Sequence, residues 1–330
     1  MAEPPIVGRL APSPSGRLHL GHARSFLLAW WSARSQGGRI VLRIEDLDTV
    51  RVKSGAIDLV LEDLVWLGLD WDGEPLLQST RVAAHTEALA SLVEMGRAYP
   101  CVCTRKEIKD ASRAPHGGET RYPGTCRGRY ATLAEATEAT GLPAALRLAV
   151  EPGPVIVGDL FRGPTSIDVA AEIGDFAIAR KDGIAAYQLA TPLDDDHQGV
   201  TEVLRGDDLL SSAARQALVL GALDLPIPRQ IHVPLVHDSI GSRLAKRAGS
   251  LSLAELRASG VPAVEVISWA AESSGLPRTP PGPLPEGPEA WIETFQLSSL
   301  PRHDIHLAPN TPEGSHLPPA SRGPWPANDE

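Results

Sequence analysis

The chain has little cysteine, no long apolar run and no leading basic segment. Its three cysteines, Cys101, Cys103 and Cys126, are odd in number and sparse for 330 residues, which argues against a disulfide framework and favours metal binding. No apolar run approaches the roughly 20 residues that a membrane span needs. Met1–Pro5 also lacks the basic and apolar stretches of a secretory signal. We therefore expect a cytoplasmic protein with no membrane contact.

Positive charge is also in deficit. The sequence has 31 lysines and arginines against 41 aspartates and glutamates, for a net charge of −10. This balance argues against a large surface that coats nucleic acid, although it allows a local basic track. Hydrophobic residues make up 42% and charged residues 22%, an ordinary profile for a globular protein with room for more than one structural unit.

Strand and helix patterns alternate over the first hundred residues. Ile6–Leu10 and 39–44 are predicted strands. Helices are predicted from Gly21 through Trp30, after an N-cap at Ser54, and over Thr80–Met95. This alternation predicts an α/β fold with a Rossmann-type parallel sheet.

Later elements are shorter. Phe176–Leu189 is predicted to be a hairpin that turns at 181–183, and 231–236 is predicted to be a strand. Ser252 and Glu255 have the spacing of a capping box, which predicts a further helix.

The strongest chemical signal is Arg9–His22, which reads RLAPSPSGRLHLGH. A strand and a Pro/Gly loop lead to His19 and His22 as a helix begins. A helix N-terminus offers N–H donors and partial positive charge to a phosphate, and Gly21 lets a base or phosphate approach the backbone. Two surface histidines beside a turn would give the same short pattern, and nucleotidyltransferases also carry His-x-Gly-His at a strand–helix turn.

A second signal is the basic segment GSRLAKR at Gly241–Arg247. A mobile ammonium group stabilises the charge that migrates on a triphosphate as pyrophosphate leaves. A solvated basic loop is the alternative interpretation of such a charge run.

Together the two segments resemble the paired signature of the class I aminoacyl-tRNA synthetases. RIEDLD at Arg43–Asp48 and GVTEVLRGDD at Gly199–Asp208 are similar to the glutamyl branch of that class. Within the branch, the chain most resembles the stand-alone paralogues of the glutamyl-tRNA synthetase catalytic domain. It ends too soon after the second loop for an anticodon-binding region, and it has a cysteine site of the same kind.

The resemblance implies roles for individual positions. It implies catalysis by His19, His22 and Lys246; a glutamate pocket of Arg9, Leu10, Ala11, Pro12, Ser13, Glu45, Tyr187 and Arg205; and ATP binding by His19, Gly21, His22, Arg243, Leu244 and Lys246. The two pocket arginines would pair with the substrate side-chain carboxylate, which selects glutamate over glutamine. Glu45 would hold the α-ammonium group, and Tyr187 would supply a hydroxyl and a wall. A structural role, such as Arg205 pairing with Asp207, is the alternative.

The second loop departs from the family pattern. The family usually has Lys-Leu-Ser-Lys where this chain has Arg243-Leu244-Ala245-Lys246. The lysine expected to touch ATP is kept and the hydroxyl is lost. We expect activity to survive, with weaker ATP binding or loop closure.

The three cysteines predict a zinc site, because thiolates are strong zinc ligands and zinc prefers four donors. The resemblance implies Tyr122 as the fourth ligand, from a Tyr-x-x-x-Cys segment, while His116 is the chemical alternative. A closed four-ligand site would be structural.

The implied reaction activates L-glutamate with ATP and Mg²⁺ to glutamyl-adenylate without tRNA. The glutamyl group then passes to queuosine in the anticodon of tRNA(Asp), and the protein acts as a monomer. The rival functions are a truncated-type glutamyl-tRNA synthetase that charges a tRNA 3′ end, a nucleotidyltransferase, and a non-catalytic zinc module that binds tRNA.

The resemblance and the sequence pattern together predict a domain order. Residues 1–97 and 131–250 would form the two halves of the catalytic domain, the second half including an acceptor-type insertion and the basic loop. A zinc-binding insert at 98–130 would separate them. A short helical region, 251–307, and a disordered proline-rich tail, 308–330, would follow.

Overall fold

The computed structural model describes residues 5–111, 120–238, 252–280, 286–307, 317 and 320–322. The chain divides into two compact units. Unit 1 comprises Met1–Leu77, Val200–Leu209 and Ile231–Glu330, and unit 2 comprises Gln78–Gly199 and Leu210–Gln230. Among the described helices, none combines the length and the hydropathy that crossing a bilayer requires.

The described secondary structure alternates strands and helices over most of the chain. The strands are β1 (Val7–Leu10), β2 (Arg39–Ile44), β3 (Leu76–Leu77), β4 (Ala98–Cys101), β5 (Ala145–Leu148), β6 (Val155–Asp159), β7 (Gly163–Ile167), β8 (Ala177–Ala179), β9 (Glu202–Gly206), β10 (Arg229–Val233), β11 (Val236–His237), β12 (Ile305–Leu307) and β13 (Ala320–Arg322). The α-helices are α1 (Leu20–Ser35), α2 (Ala56–Trp66), α3 (Val82–Glu94), α4 (Arg105–Ala111), α5 (Leu133–Thr140), α6 (Val169–Glu172), α7 (Tyr187–His197), α8 (Leu210–Ala222), α9 (Leu253–Ala258) and α10 (Ala263–Ser273).

Unit 1 is built on the parallel sheet β1-β2-β3, with Val7 opposite Arg39. Gly8 lets α1 pack closely on β1, because a Cβ at this position would lie 3.0 Å from the Cβ of Ala33. The other edge of β1 meets the chain before β9: the Thr201 amide donates to the Val7 carbonyl at 2.9 Å. These contacts bring the carboxyl ends of β1, β2 and β9 together, where α/β sheets bind ligands.

Unit 2 contains the antiparallel sheet β4-β5-β8 and the hairpin β6–β7. Asp194 on α7 is fully buried and accepts hydrogen bonds from Gln78 at 2.9 Å and from Arg81 at 3.3 Å. His85 on α3 lies 2.9 Å from the same carboxylate. This network satisfies a buried charge and ties α7 to α3.

The local patterns predicted most early elements. The predicted strand at 39–44 is confirmed, as is a helix that includes Gly21–Trp30. Ser54 as N-cap is wrong, because α2 begins after Gly55 at φ +75° with no side-chain cap. The Phe176–Leu189 hairpin is only partly confirmed: Ala179 bridges Ala185, but the next residues turn into α7 rather than extending a strand.

The C-terminal region differs from the predicted helical region. Besides α9 and α10 it contains β12, which pairs in parallel with β11 and antiparallel with β13. A disordered tail from 308 is therefore wrong for Ala320–Arg322. Strand pairing satisfies backbone donors and acceptors without apolar side chains, so the proline-rich composition did not predict it. Of the other tail residues only the buried Leu317 lies within the described part of the chain.

Candidate active site and metal site

His19 and His22 begin α1 as a reciprocal cap. His19 is the N-cap, and its Nδ1 accepts the Gly21 amide at 3.2 Å. The Nδ1 of His22 accepts the His19 amide at 3.2 Å, and the two ring centroids lie 3.8 Å apart. Because both Nδ1 atoms accept, the ring proton of each neutral imidazole is assigned to Nε2. The pair therefore presents two N–H donors at a helix N-terminus, an arrangement suited to phosphate.

Gly21 lies between His19 and the β10–β11 region. A Cβ added here would be 3.1 Å from Cε1 of His19 and 3.7 Å from the Cβ of Val236. Ser252 forms a β-bridge with His19, and the Leu253 amide donates to the Leu18 carbonyl at 2.9 Å. Both flanks of the segment 239–251 thus lie beside this histidine pair. The predicted ATP-binding residues Arg243, Leu244 and Lys246 belong to that segment and lie outside the described residues.

Two buried guanidinium groups occupy neighbouring strands of unit 1. Arg9 on β1 is 7% exposed, and its Nη1 donates to the Leu204 carbonyl at 3.5 Å. Arg205 on β9 is 4% exposed, and its Nε donates to Nε2 of His232 at 3.1 Å. The structure thereby brings together two residues that are almost 200 positions apart.

Glu45 joins this group at the end of β2. Its amide donates to the Pro12 carbonyl at 3.0 Å, and its carboxylate pairs with the buried Arg43 at 3.2 Å. Arg9, Pro12, Glu45 and Arg205 therefore belong to one edge of the unit 1 sheet. A carboxylate beside two guanidinium groups can hold the two ends of a zwitterionic amino acid.

The remaining predicted pocket residues differ in exposure. Leu10 is fully buried in the core, Pro12 is buried and Ala11 is half-buried. Ser13 is exposed, and its hydroxyl donates to that of Ser15 at 3.2 Å. Tyr187 belongs to unit 2, where it is the first residue of α7 and is 38% exposed.

Sequence reasoning missed His232 and Arg24. His232 is fully buried on β10, where it accepts the Arg205 hydrogen bond, but a single histidine in an apolar strand gives no pattern. Arg24 on α1 is 1% exposed and donates to the Pro234 carbonyl at 2.8 Å. Burial lowers the pKa of Arg24 to about 10, and Asp304 opposes the shift. This arginine connects α1 to the chain just before the undescribed segment 239–251.

The three cysteines of unit 2 converge. Their Sγ atoms all lie within 4.8 Å of one another, and those of Cys103 and Cys126 are 3.5 Å apart. The Tyr122 hydroxyl accepts from Cys101 at 3.3 Å and from the Cys126 amide at 2.9 Å, and it lies 3.8 Å from the Cys103 sulfur. This donor set fits a soft divalent metal ion. His116, the alternative fourth ligand, lies outside the described residues.

The environment of the cluster favours the neutral forms of Cys103 and Tyr122 but not that of Cys126. Burial, together with hydrogen bonding to Cys126, raises the pKa of the Cys103 thiol to about 12. Burial and hydrogen bonding to Cys101 raise the pKa of the Tyr122 phenol above its usual range. Hydrogen bonds from the Val102 backbone and Tyr122 outweigh burial and lower the pKa of Cys126. A bound cation would stabilise all of the ionised ligands.

Arg147 contacts this cluster directly. Its Nε donates to the Cys101 sulfur at 3.2 Å, and its Cζ lies 3.8 Å from the centroid of the Tyr122 ring. Its Nη1 donates to the Asp175 carbonyl at 2.8 Å, which fixes the guanidinium. Arg147 therefore supports two of the candidate ligands from outside the set.

Comparison with protein families identifies the class. Residues 5–272 match the family described as "tRNA synthetases class I (E and Q), catalytic domain". Two solved glutamate–tRNA synthetases, from Elizabethkingia meningosepticum (solved with its amino acid) and Elizabethkingia anophelis, share the fold, each with a TM-score of 0.76 and 23% identity. They align with 92% and 93% of this chain and with 67% and 68% of their own. The chain belongs to the class I tRNA synthetases.

Curated relatives narrow the assignment. The chain is 43% identical over 317 residues to the glutamyl-Q tRNA(Asp) synthetase of Symbiobacterium thermophilum, covering 93% of this chain and 97% of the relative. It is 44% identical over 308 residues to that of Nocardia farcinica, covering 92% and 94%. The chain belongs to the glutamyl-Q tRNA(Asp) synthetase family, and it is an enzyme of the ligase type.

Proposed function

We propose that this enzyme uses ATP and Mg²⁺ to convert L-glutamate to glutamyl-adenylate without tRNA, and then transfers the glutamyl group to queuosine in the anticodon of tRNA(Asp). The observation that carries the proposal is the edge of unit 1 where Arg9, Glu45 and Arg205 adjoin the loop to His19 and His22. Relatives at 41–47% identity bear a name that states this acceptor.

Activation requires one displacement at phosphorus. An oxygen of the glutamate α-carboxylate attacks the α-phosphorus of ATP, the bond to the β-phosphate bridging oxygen breaks, and pyrophosphate leaves. The imidazole N–H groups and the helix N-terminus stabilise the charge on the phosphate oxygens, and Mg²⁺ bound with ATP would supply further charge neutralisation at the leaving pyrophosphate. In the second step an acceptor hydroxyl attacks the adenylate carbonyl, loses its proton to solvent and displaces AMP. Positioning and charge stabilisation carry both steps.

Glutamate selection rests on preorganised charge. Arg205 is held by His232 and Arg9 by the Leu204 carbonyl, so little side-chain freedom is lost on binding. Glutamine cannot supply the anionic oxygen pair that a buried guanidinium requires. Glu45 holds the substrate ammonium, and the role of Tyr187 stays a prediction of the resemblance.

Lys246, with Arg243 and Leu244, acts on the triphosphate in this proposal. The flanking contacts of His19 with Ser252 and of Gly21 with Val236 support it. Lys246 stands six positions before Ser252, so covalent geometry keeps their Cα atoms within about 22 Å. Steady-state kinetics of Ala245→Ser would test the lost hydroxyl: we expect a lower KM for ATP, and an unchanged KM would mean that the hydroxyl is irrelevant.

Cys101, Cys103, Cys126 and Tyr122 hold a structural zinc ion in this proposal. The close approach of the three sulfurs to one phenol oxygen supports a four-ligand set. Such a set leaves no open position for substrate, so the metal supplies fold stability rather than chemistry. The proposal also includes the predicted domain order. Residues 1–97 and 131–250 form the two halves of the catalytic domain, and residues 98–130 form the zinc-binding insert.

ATP–pyrophosphate exchange with each amino acid, with and without tRNA, tests the activation step. We expect exchange with glutamate alone and no need for tRNA. A response to no amino acid would leave a nucleotidyltransferase or a binding module. Transfer of labelled glutamate to tRNA(Asp) with and without queuosine tests the acceptor: transfer that persists without queuosine would instead indicate charging of the 3′ end.

A further inference from the structure

Asp304 immediately precedes β12 and contacts the chain around β11 twice. Its Oδ1 accepts the Leu235 amide at 2.8 Å, and its Oδ2 lies 3.0 Å from Nε2 of His237. The next residue, Ile305, donates its amide to the Leu235 carbonyl at 2.8 Å. One carboxylate and one backbone amide therefore hold the chain on both sides of Val236.

Helix α1 holds the same stretch of chain through Arg24. The Nη1 of this buried arginine donates to the Pro234 carbonyl at 2.8 Å, while its Nε and Nη2 have no hydrogen-bond partner within the described part of the chain. Burial lowers the pKa of Arg24, and Asp304 is the carboxylate that opposes the shift. Asp304 therefore offsets a buried charge in addition to satisfying an amide, and both effects stabilise the path of residues 234–237.

Val236 joins this stretch to the histidine pair. Its Cβ lies 3.7 Å from a Cβ added at Gly21, whose amide donates to Nδ1 of His19. Val236 is buried and pairs with Ile305 in the parallel register of β11 and β12. All of these residues belong to unit 1. A shift of β11 would therefore remove packing from the helix N-terminus that presents His19 and His22.

We propose that Asp304 is a positioning residue for nucleotide binding, which acts through Leu235 and Val236 on the histidine pair. The inference rests on the proposed function for the identity of the nucleotide. It adds a residue of the C-terminal region to those that determine the affinity for ATP, although Asp304 itself touches neither substrate.

The glutamate pocket has other supports. Arg9 donates to the Leu204 carbonyl, and Glu45 pairs with Arg43. Loss of the Asp304 contacts should therefore change the KM for ATP and leave the KM for glutamate at the parental value.

The test is glutamate-dependent ATP–pyrophosphate exchange by the full-length enzyme and its variants Asp304→Ala and Asp304→Asn. Asp304→Ala leaves the Leu235 amide without its acceptor. We expect the KM for ATP to rise about 10-fold, less than the 100-fold that a displacement of about 1 Å can cause at reacting groups. Asp304→Asn keeps an oxygen that can accept the Leu235 amide, so its KM for ATP should stay within about 3-fold of the parent.

Trp291→Phe is the matched control for lost stability. Trp291 is buried in the same C-terminal region, where its Nε1 donates to the Pro277 carbonyl at 2.8 Å and its ring packs against Trp31 in the second half of α1. Instability alone lowers the fraction of folded enzyme, and with it the apparent kcat, but leaves both KM values parental. Melting temperatures of all variants identify that case.

A parental KM for ATP in Asp304→Ala, or equal rises in the KM values for both substrates, would overturn the positioning role. So would a rise in the KM for ATP of the same size in Trp291→Phe. If Asp304→Ala does not fold, His237→Ala removes the second partner of the carboxylate and should raise the KM for ATP about 2- to 5-fold, as for a partly exposed pair. A parental value there would also reject the role, whereas absence of exchange in the parent enzyme would instead reject the proposed function.

Discussion

Gly21 is constrained by the imidazole of His19. A methyl group at position 21 would lie 3.1–3.2 Å from two ring atoms, closer than ordinary van der Waals contact, so the ring would have to move. Displacements of this kind lower the catalytic rate more than the stability of the fold, because a shift of about 1 Å at a reacting group can lower a rate 100-fold.

We predict that Gly21→Ala lowers kcat/KM for ATP about 10- to 100-fold in glutamate-dependent exchange. Gly221→Ala is the control, because nothing lies within 4 Å of its added Cβ and alanine favours a helix. Parental kinetics in Gly21→Ala would show that the His19 ring position does not matter.

Arg147 contacts one candidate thiolate and the ring of the candidate phenol ligand. We predict that Arg147→Leu lowers zinc affinity about 10- to 100-fold, the usual effect of losing an outer partner of a ligand. Competition with a chromophoric chelator measures it, and the Co²⁺ spectrum reports ligand geometry. Arg121→Leu is the control, since Arg121 is adjacent to Tyr122 in the sequence but bonds the Ala170 carbonyl and no cysteine. Equal affinities in both variants would contradict the role.

At the scale of elements, α9, which follows the undescribed segment 239–251, forms ion pairs through residues near both of its ends. Ser252 and Glu255 form the predicted capping box, which is confirmed, and Glu255 pairs with Arg17 at 3.0 Å. Arg257 reaches α2, where it pairs with Glu62 at 2.7 Å and approaches the buried Asp63 at 3.6 Å. Burial raises the pKa of Asp63 to about 6, and Arg257 offsets only part of the shift.

This shift makes stability depend on pH. Between pH 4 and 6 the folded protein keeps a proton on Asp63 that the unfolded chain has released. The free energy of unfolding therefore falls as pH rises through that window. The loss is on the order of 1–3 kcal/mol. We predict that Asp63→Asn gains melting temperature relative to the parent between pH 4.5 and 7. Asp58→Asn, the same exchange at an exposed position of α2, should show no such trend; an equal trend in both variants would rule out Asp63 as its origin.

The sequence predicted elements where the signal was local. The apolar run at 39–44 and the histidine-capped start of α1 depend on neighbouring residues, and both were confirmed. β12 is three residues long and depends on the distant strand β11, and β13 depends on β12, so neither gives a local signal of useful length. In the candidate site, the resemblance named Arg205 but not its buried partner His232, because that contact joins separate strands.

At the scale of the whole molecule, the candidate metal site belongs to unit 2 and the candidate nucleotide site to unit 1. The cluster around the cysteines is small: Tyr99, Cys101, Tyr122 and Cys126 are its buried members. So small a core would gain much of its order from a metal.

We predict that chelation lowers the melting temperature by roughly 2–4 °C for each kcal/mol of metal-linked stability, and that restored Zn²⁺ reverses the loss. The three thiols should become reactive at the same time. A Cys126→Ser variant insensitive to the chelator is the control. Unchanged melting of the parent in chelator would exclude a structural ion.

The pairing of Val7 with Thr201 sets an order of events during biosynthesis. The second residue of that pair leaves the ribosome 194 positions after the first, which at 5–20 residues per second is about 10–40 s. During this interval the edge of β1 that later contacts Thr201 has no partner, although Gln78–Gly199 has already left the ribosome. Most of unit 2 can fold on the nascent chain before unit 1 closes, so the apolar N-terminal strand is the segment that chaperones must shelter.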